Sequence, residues 1–171
     1  MKLRNVLMVC IFIILGLMAC ETPKEATIKD VFPKQLDLLQ HGIPIKIQVP
    51  EDAQVTNRSD NFMQDVLIEG TNYYVRIYSN GATAPQCATM AEEALQDIKK
   101  TNPTFKKTIL EEACGFIYAV QIPGDTTTCY NFNYQTVKGN KSFSFSTTTS
   151  RRQPFSKEAV ENIYQAVKEQ E

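Results

Sequence analysis

Residues 63–78 read MQDVLIEGTNYYVRIY, and the pattern of this stretch decides the fold class. Val66, Leu67 and Ile68 form an apolar run on one arm. Tyr73, Val75 and Ile77 alternate with Tyr74, Arg76 and Tyr78 on the other. The second arm has the period of a strand with one buried face, and Gly70-Thr71 between the arms is a turn signal. A two-residue loop there opposes Ile68 to Tyr73 and Val66 to Val75, so apolar meets apolar across the pair. The stretch is therefore expected to be an antiparallel hairpin with arms 63–69 and 72–78.

Upstream, Ile43, Ile45, Ile47 and Val49 alternate with Pro44, Lys46 and Gln48 before Pro50, which predicts another strand with one buried face. Residues 31–40 fit either a short helical segment after Pro33 or an irregular lead-in. Downstream, Thr83 and Gln86 have the spacing of a capping box, with Pro85 in the first turn. Cys87, Ala91, Ala94, Leu95 and Ile98 then fall on one helical stripe, which Asn102-Pro103 ends. Leu110, Cys114, Phe116, Tyr118, Val120 and Ile122 are read as one strand face, interrupted by Glu112; Tyr130, Phe132 and Tyr134 form the next. Matching those two faces calls for an odd-numbered loop, a turn with a bulge at Pro123-Gly124-Asp125-Thr126. Gly139-Asn140 turns the chain into a strand with Phe143 and Phe145. Ser156 then caps a last helix, Phe155 staples to Val160, and Ile163, Tyr164 and Val167 continue its stripe.

This order predicts an α+β domain: an antiparallel sheet of about six strands with two packed helices. With its IPIKIQVPEDA opening strand and a helix after a Phe-rich strand, it resembles the Mog1/PsbP-like group, which includes envelope lipoproteins of the DcrB kind. The resemblance spans residues 43–168 and rests on element order. It implies a non-enzymatic accessory or binding protein, and no family motif transfers a functional residue.

The N-terminus carries an address. Lys2 and Arg4 precede an uninterrupted run of 14 apolar or Gly residues, 6–19. About 20 are required to span a bilayer as a helix, so the run suits a signal-peptide core. Leu17-Met18-Ala19-Cys20 at its end resembles the lipobox of bacterial lipoproteins. That resemblance implies cleavage before Cys20, lipidation of its thiol, and a protein anchored to a membrane of the bacterial cell envelope. Two or more acyl chains hold a protein stably on a membrane, whereas one gives marginal binding. The expected organisation is a signal peptide at 1–19, a tether at 20–30 and a single domain at 31–171. The mature chain of 152 residues would carry 16 basic and 19 acidic side chains, no excess with which to neutralise phosphates, and nucleic acid is not an expected partner.

Catalytic and metal-ligating patterns are sparse. His41 is the single histidine, beside Gly42, and there is no G-x-S-x-G, Gly-rich phosphate loop, H-E-x-x-H or C-x-x-C. Glu111 and Glu112 should point to opposite faces of their strand, and Glu92-Glu93 to the solvent side of a helix. Cys87, Cys114 and Cys129 lack a fourth ligand at usable spacing. The sequence thus predicts no catalytic residue, metal or cofactor.

Cys87 and Cys114 carry a geometric expectation. A helix antiparallel to the strand that follows it returns Cys87, at ~1.5 Å per residue, to the height that the strand reaches near residue 114 at ~3.3 Å per residue. The two are expected to be neighbours placed for a disulfide, the alternative being two packed free thiols. Asp125-Thr126-Thr127 resembles the short O-glycosylation signal of Bacteroidota envelopes, with Thr126 the acceptor; Asp-Thr is also an ordinary turn pair.

The functional expectation is a membrane-anchored binding protein for an envelope protein or lipid partner, working through the sheet edge or the groove beside the last helix. Tyr74 and Tyr78 are its candidate surface aromatics, unless the second helix covers them. The alternatives are an envelope hydrolase built on Asp and Glu, or an immunity protein that blocks a toxin.

Overall fold

The computed structural model describes residues 27–79, 86–121, 124–148 and 154–171. Cys20, the signal stretch, Thr83, Pro85 and Pro123 lie outside them. The elements are α1 (Ile28–Val31), β1 (Lys34–Asp37), a 3-10 turn (Leu39–His41), β2 (Lys46–Val49), β3 (Gln54–Asn57), β4 (Gln64–Gly70) and β5 (Tyr73–Ser79). They continue with α2 (Cys87–Thr101), β6 (Phe105–Glu112), β7 (Gly115–Gln121), β8 (Thr128–Lys138), β9 (Lys141–Ser146) and α3 (Lys157–Lys168). The fold is α+β: a seven-stranded antiparallel sheet in the order β3-β4-β5-β9-β8-β7-β6, with a second, two-stranded sheet of β1 and β2.

The hairpin at 63–78 forms, with a different loop from the one expected. Gly70 pairs with Tyr73, Ile68 with Val75 and Val66 with Ile77, so the two loop residues are Thr71 and Asn72. Asn72 takes a φ of 53°, a left-handed conformation that its short polar side chain tolerates. The Asp52 carboxylate fixes the turn by accepting from the Thr71 N–H at 2.9 Å and from its hydroxyl at 2.6 Å. The slip is an even number of residues, so every side chain keeps its expected face.

Two strand expectations fail for a shared reason. Residues 110–122 are not one strand: the chain reverses at Ala113-Cys114, and Glu112 pairs with Gly115. A side chain at Gly115 would meet the Asn133 carbonyl oxygen and the Tyr164 hydroxyl, each at 2.8 Å. Nor is the next loop odd-numbered. Gln121 pairs with Thr128, so Tyr130 faces Ala119 and Phe132 faces Ile117, rather than Phe116 and Tyr118. All of β7 from Gly115 to Val120 is buried. With apolar residues wanted on both faces of that strand, matching apolar to apolar no longer fixes the register.

The main core lies on one face of the sheet. Ile68, Val75, Ile77, Ile117, Phe132, Phe143 and Phe145 pack there against Val160, Ile163, Tyr164 and Val167 of α3 and against Ile43, Ile45, Ile47 and Val49 from the β2 segment. The Ser156 hydroxyl caps α3 by accepting from the Ala159 N–H at 3.1 Å, as expected. Residues 31–40 supply β1, whose partner is β2, and the backbone of Glu171 exchanges hydrogen bonds with Lys46, so the C-terminus is sewn to the small sheet. Ile28 and Phe32 are buried in this core, and the folded part therefore takes in the last residues of the stretch read as tether.

A smaller core occupies the other face. There α2 packs on β7 and β8 through Leu95, joined by Phe116, Tyr118, Val120 and Cys129. Gln86, not Thr83, is the residue ahead of the first helical turn.

Gly115→Ala tests the packing of the β6–β7 turn against β8 and α3. Overpacking of this kind costs about 1–3 kcal/mol, and a lower urea midpoint with an unchanged slope is the expected outcome.

Candidate functional site

The strands that bury Ile77, Phe132 and Phe145 on one face necessarily send their alternate residues to the other. Tyr74, Arg76 and Tyr78 leave β5 on that side; Ser142, Ser144 and Ser146 leave β9; Asn131, Asn133 and Gln135 leave β8. The register sets Tyr78 opposite Ser144 and Arg76 opposite Ser146 on one side of β9, and Gln135 opposite Ser144 on the other. Ser142, Ser144 and Ser146 are thus one alternating row of a sheet face.

Helix α2 packs on this side against β8 and β7. Ala91 and Leu95 are its buried residues. Met90, Glu93, Ala94 and Asp97 lie along the neighbouring stripe, at the i, i+3, i+4, i+7 spacing of one helical face. Between that stripe and the polar row is a cavity of about 390 Å³, lined by Tyr78, Ser79, Met90, Glu93, Ala94, Asp97, Gln135, Ser142 and Ser144.

Its polar chemistry is one-sided. Gln135 is 4% exposed. Its amide nitrogen donates to Asn133 Oδ1 at 2.6 Å and to Ser144 Oγ at 3.0 Å, which leaves its buried Oε1 without a donor. The carboxylates of Glu93 and Asp97 have no hydrogen-bonded or ion-paired partner among the described residues. The neighbouring cation is occupied: Arg76 donates to Asp65 through Nε at 2.8 Å and Nη2 at 2.7 Å. That hydrogen bond, followed by the guanidinium charge, holds the Asp65 carboxyl below the usual carboxylate range. The cavity is therefore rich in acceptors and carries net negative charge.

Tyr78 is 39% exposed at the rim and Tyr74 is partly buried. Both are on the side of the sheet that α2 partly covers; α3, the last helix, packs on the opposite face. The sequence overlooked Gln135, Ser144, Glu93 and Asp97 as a group. The spacing of Glu93 and Asp97 and the Ser-Phe alternation at 142–146 were the signals available.

Cys87 and Cys114 meet as a disulfide with Cα atoms 5.0 Å apart, which ties the first turn of α2 to the β6–β7 turn. Cys129 is a buried free thiol in the smaller core, its titration pushed up by burial and by the Asp125 charge. Thr126 is exposed in the β7–β8 loop, where the Asp125 side chain accepts from the Thr127 N–H at 2.8 Å in an Asx turn. His41 contacts Gln40 at the end of the 3-10 turn and takes no part in the cavity.

Glu111 and Glu112 stand on opposite faces of β6, as expected: Glu111 pairs with Phe116 of the smaller core, and Glu112 reaches α3 on the other face; at the end of the strand both border, with Glu92, a second cavity of about 250 Å³. Glu112 already accepts from Lys168 at 2.8 Å and from the Tyr164 hydroxyl at 3.0 Å. Lys168 first and Tyr164 second hold its carboxyl below the usual range, so it is an ionised ion-pair partner at neutral pH. Among the described residues no group of three or more His, Cys, Asp or Glu is disposed to hold a metal ion. No helix among them is long and apolar enough to cross a membrane.

Two measurements follow from these geometries. Thiol labelling of the denatured, unreduced protein should find Cys129 reactive and Cys87 and Cys114 protected, and replacing that pair by serine should cost about 2–4 kcal/mol; reaction of all three cysteines contradicts the disulfide. Asp65→Asn should cost about 1–2 kcal/mol at pH 7, a charge-assisted pair discounted for a half-exposed arginine. Because the folded Asp65 titrates below its unfolded value, its contribution is complete at neutral pH and is lost as pH falls through the lowered value. The stability gap between wild type and variant should therefore close in acid, and a gap that persists at pH 2 contradicts the pairing.

The chain matches no known protein family, curated protein or solved structure, and its functional reading rests on its own residues.

Proposed function

We propose that the protein is a lipid-anchored protein of the bacterial envelope that binds a partner, without catalysing a reaction, through the sheet face beside α2. The observation that carries this reading is the partly covered face itself. There α2 packs mainly on β8 and β7, and a cavity of about 390 Å³ opens between α2 and the edge of β5 at Tyr78 and Ser79. Binding sites for small groups typically occupy about 300–1,000 Å³ and place a few polar side chains around an apolar wall. Met90, Ala94 and the Tyr78 ring supply the wall, and the serines, Gln135 and the two carboxylates supply the polar groups.

The groove beside the last helix, expected as an alternative surface, is a cleft of about 420 Å³ between α1, the β4–β5 turn and the first turns of α3. On that face α3 is packed over the main core through Val160, Ile163, Tyr164 and Val167. The anchor at Cys20 is supported by the sequence: a basic start, an apolar run too short to span, and Leu-Met-Ala before the cysteine.

A photoreactive residue at Tyr78 in the membrane-bound protein should give a discrete cross-linked adduct, while the same residue at Glu161, on the outer side of α3, should give none. Absence of an adduct from Tyr78, or the same adduct from both positions, overturns the choice of surface. Cys20→Ser should move the protein from the membrane to the soluble fraction; retention on the membrane overturns the anchor.

A further inference from the structure

Apart from its own backbone, helix α2 is held to the fold by a small core and one covalent bond, and we propose that this bond, the Cys87–Cys114 disulfide, is a redox latch. Closed, it keeps α2 on β7 and β8. Reduced by a dithiol, it lets α2 leave the sheet while the rest of the domain stays folded. The latch regulates the sheet face beside α2 and stands whether or not that face binds a partner.

Few non-covalent contacts hold α2. Its buried residues are Ala91 and Leu95. Among the described residues, no side chain of α2 forms a hydrogen bond or ion pair with the sheet; Thr101 donates to the Asp97 carbonyl within the helix itself. Cavities of about 390 and 250 Å³ open on its two sides, toward β5 and toward the β6–β7 turn. Glu92 on α2 and Glu111 beside that turn both border the smaller one, and two carboxylates add no attraction across it. Of the five buried residues in the core beneath α2, Leu95 alone belongs to the helix. A helix of 15 residues is marginal in water once such packing is lost.

The strands beneath do not depend on α2. Ile117 of β7 and Phe132 of β8 are anchored in the main core on the other face, with α3. Departure of α2 therefore leaves the sheet in place and bares Phe116, Tyr118, Val120 and Cys129. The bond is open to attack, because Cys87 and Cys114 are half-buried rather than enclosed in a core. One thiolate of the dithiol attacks a sulfur of the pair; the Cys87–Cys114 bond breaks, a mixed disulfide forms, and the other cysteine leaves as a thiolate that takes up a proton. The second thiol then attacks the mixed disulfide and frees the remaining cysteine. The pair gains two electrons and two protons, and the dithiol departs as a disulfide. Cys129 pairs with Val120, at the far end of β7 from Gly115. That is roughly 17 Å from the β6–β7 turn at ~3.3 Å per residue, so Cys129 does not exchange with the pair and reports on the cover above it.

The test follows alkylation of Cys129 by N-ethylmaleimide in the full-length protein purified under oxidising conditions, with the Cys129 peptide read by mass spectrometry. Amide hydrogen exchange of α2 and α3 is measured on the same samples. The latch is opened in two ways: by dithiothreitol, removed before labelling, and by the double variant Cys87→Ser, Cys114→Ser, so the result does not rest on the variant folding. Both should raise the labelling rate of Cys129 and the exchange rate of α2 roughly tenfold or more while α3 keeps its protection, and reoxidation of the reduced protein should restore the slow rates. Cys129 as protected after reduction as before it overturns the proposal, because packing alone then holds the helix. Loss of protection in α3 together with α2 overturns it as well, because the bond then stabilises the whole domain and releases no single element.

Discussion

The structure depends on the two-sidedness of a strand. In β5, β8 and β9 every second side chain is large and apolar, and burying Val75, Ile77, Phe132, Phe143 and Phe145 beneath α3 accounts for most of the driving force available to the sheet. Once that face is chosen, the intervening residues have no freedom. Tyr78, Ser142, Ser144, Gln135 and Asn133 must emerge together on the opposite side, in register across three strands. The polar floor of the cavity is thus a consequence of the core, and it cannot shift by one residue without turning the core inside out.

Helix α2 has less to hold it. Its core is Leu95 and a few residues of β7 and β8, much smaller than the one beneath α3. Its position is set at both ends by other means. The Cys87–Cys114 disulfide ties the first turn to the β6–β7 turn. At the far end the Asn102 side chain accepts from the Thr104 N–H at 2.9 Å and from its hydroxyl at 2.7 Å, giving a short return into β6. A helix fastened at its ends can leave its middle stripe unpacked, and Glu93 and Asp97 sit on that stripe. An amphipathic helix pressed evenly on a sheet would have no room for the cavity.

Legibility in the sequence followed how many faces of an element are buried. Strand β5, the stripe of α2 and the capped α3 each have one apolar side, and period alone identifies them. Strand β7 is apolar on both faces, so its alternation carried no register, and residues 110–122 read as one strand where the chain turns at Ala113-Cys114. The turn is set by a close approach that the sequence does not display: Gly115 against the Asn133 backbone and the Tyr164 hydroxyl. β1 and β3, of four residues each, are too short to show a period. The nearness of Cys87 and Cys114 was legible because rise per residue fixes where a helix and the returning strand come level, whatever the strand does afterwards. The cavity was not, because its residues come from α2, β5, β8 and β9, and only the pairing brings them together.

The same topology orients the cavity relative to the proposed anchor. The described chain enters at Thr27, and α1 lies beside the β4–β5 turn: Val31 and Phe32 share a cleft with Thr71, Asn72 and the start of α3. Tyr78 lies at the other end of β5, about 17 Å from Tyr73 at ~3.3 Å per residue, and on the face of the sheet opposite α3. From Cys20 to Thr27 a chain at ~3.5 Å per residue reaches at most about 25 Å, so the proposed lipidation at Cys20 would hold the α1 end of the domain within that distance of the bilayer. The cavity beside α2 would then lie toward the far end of the domain from that anchor. A site so placed would meet groups arriving from solution or from another protein rather than lipid from the anchoring membrane.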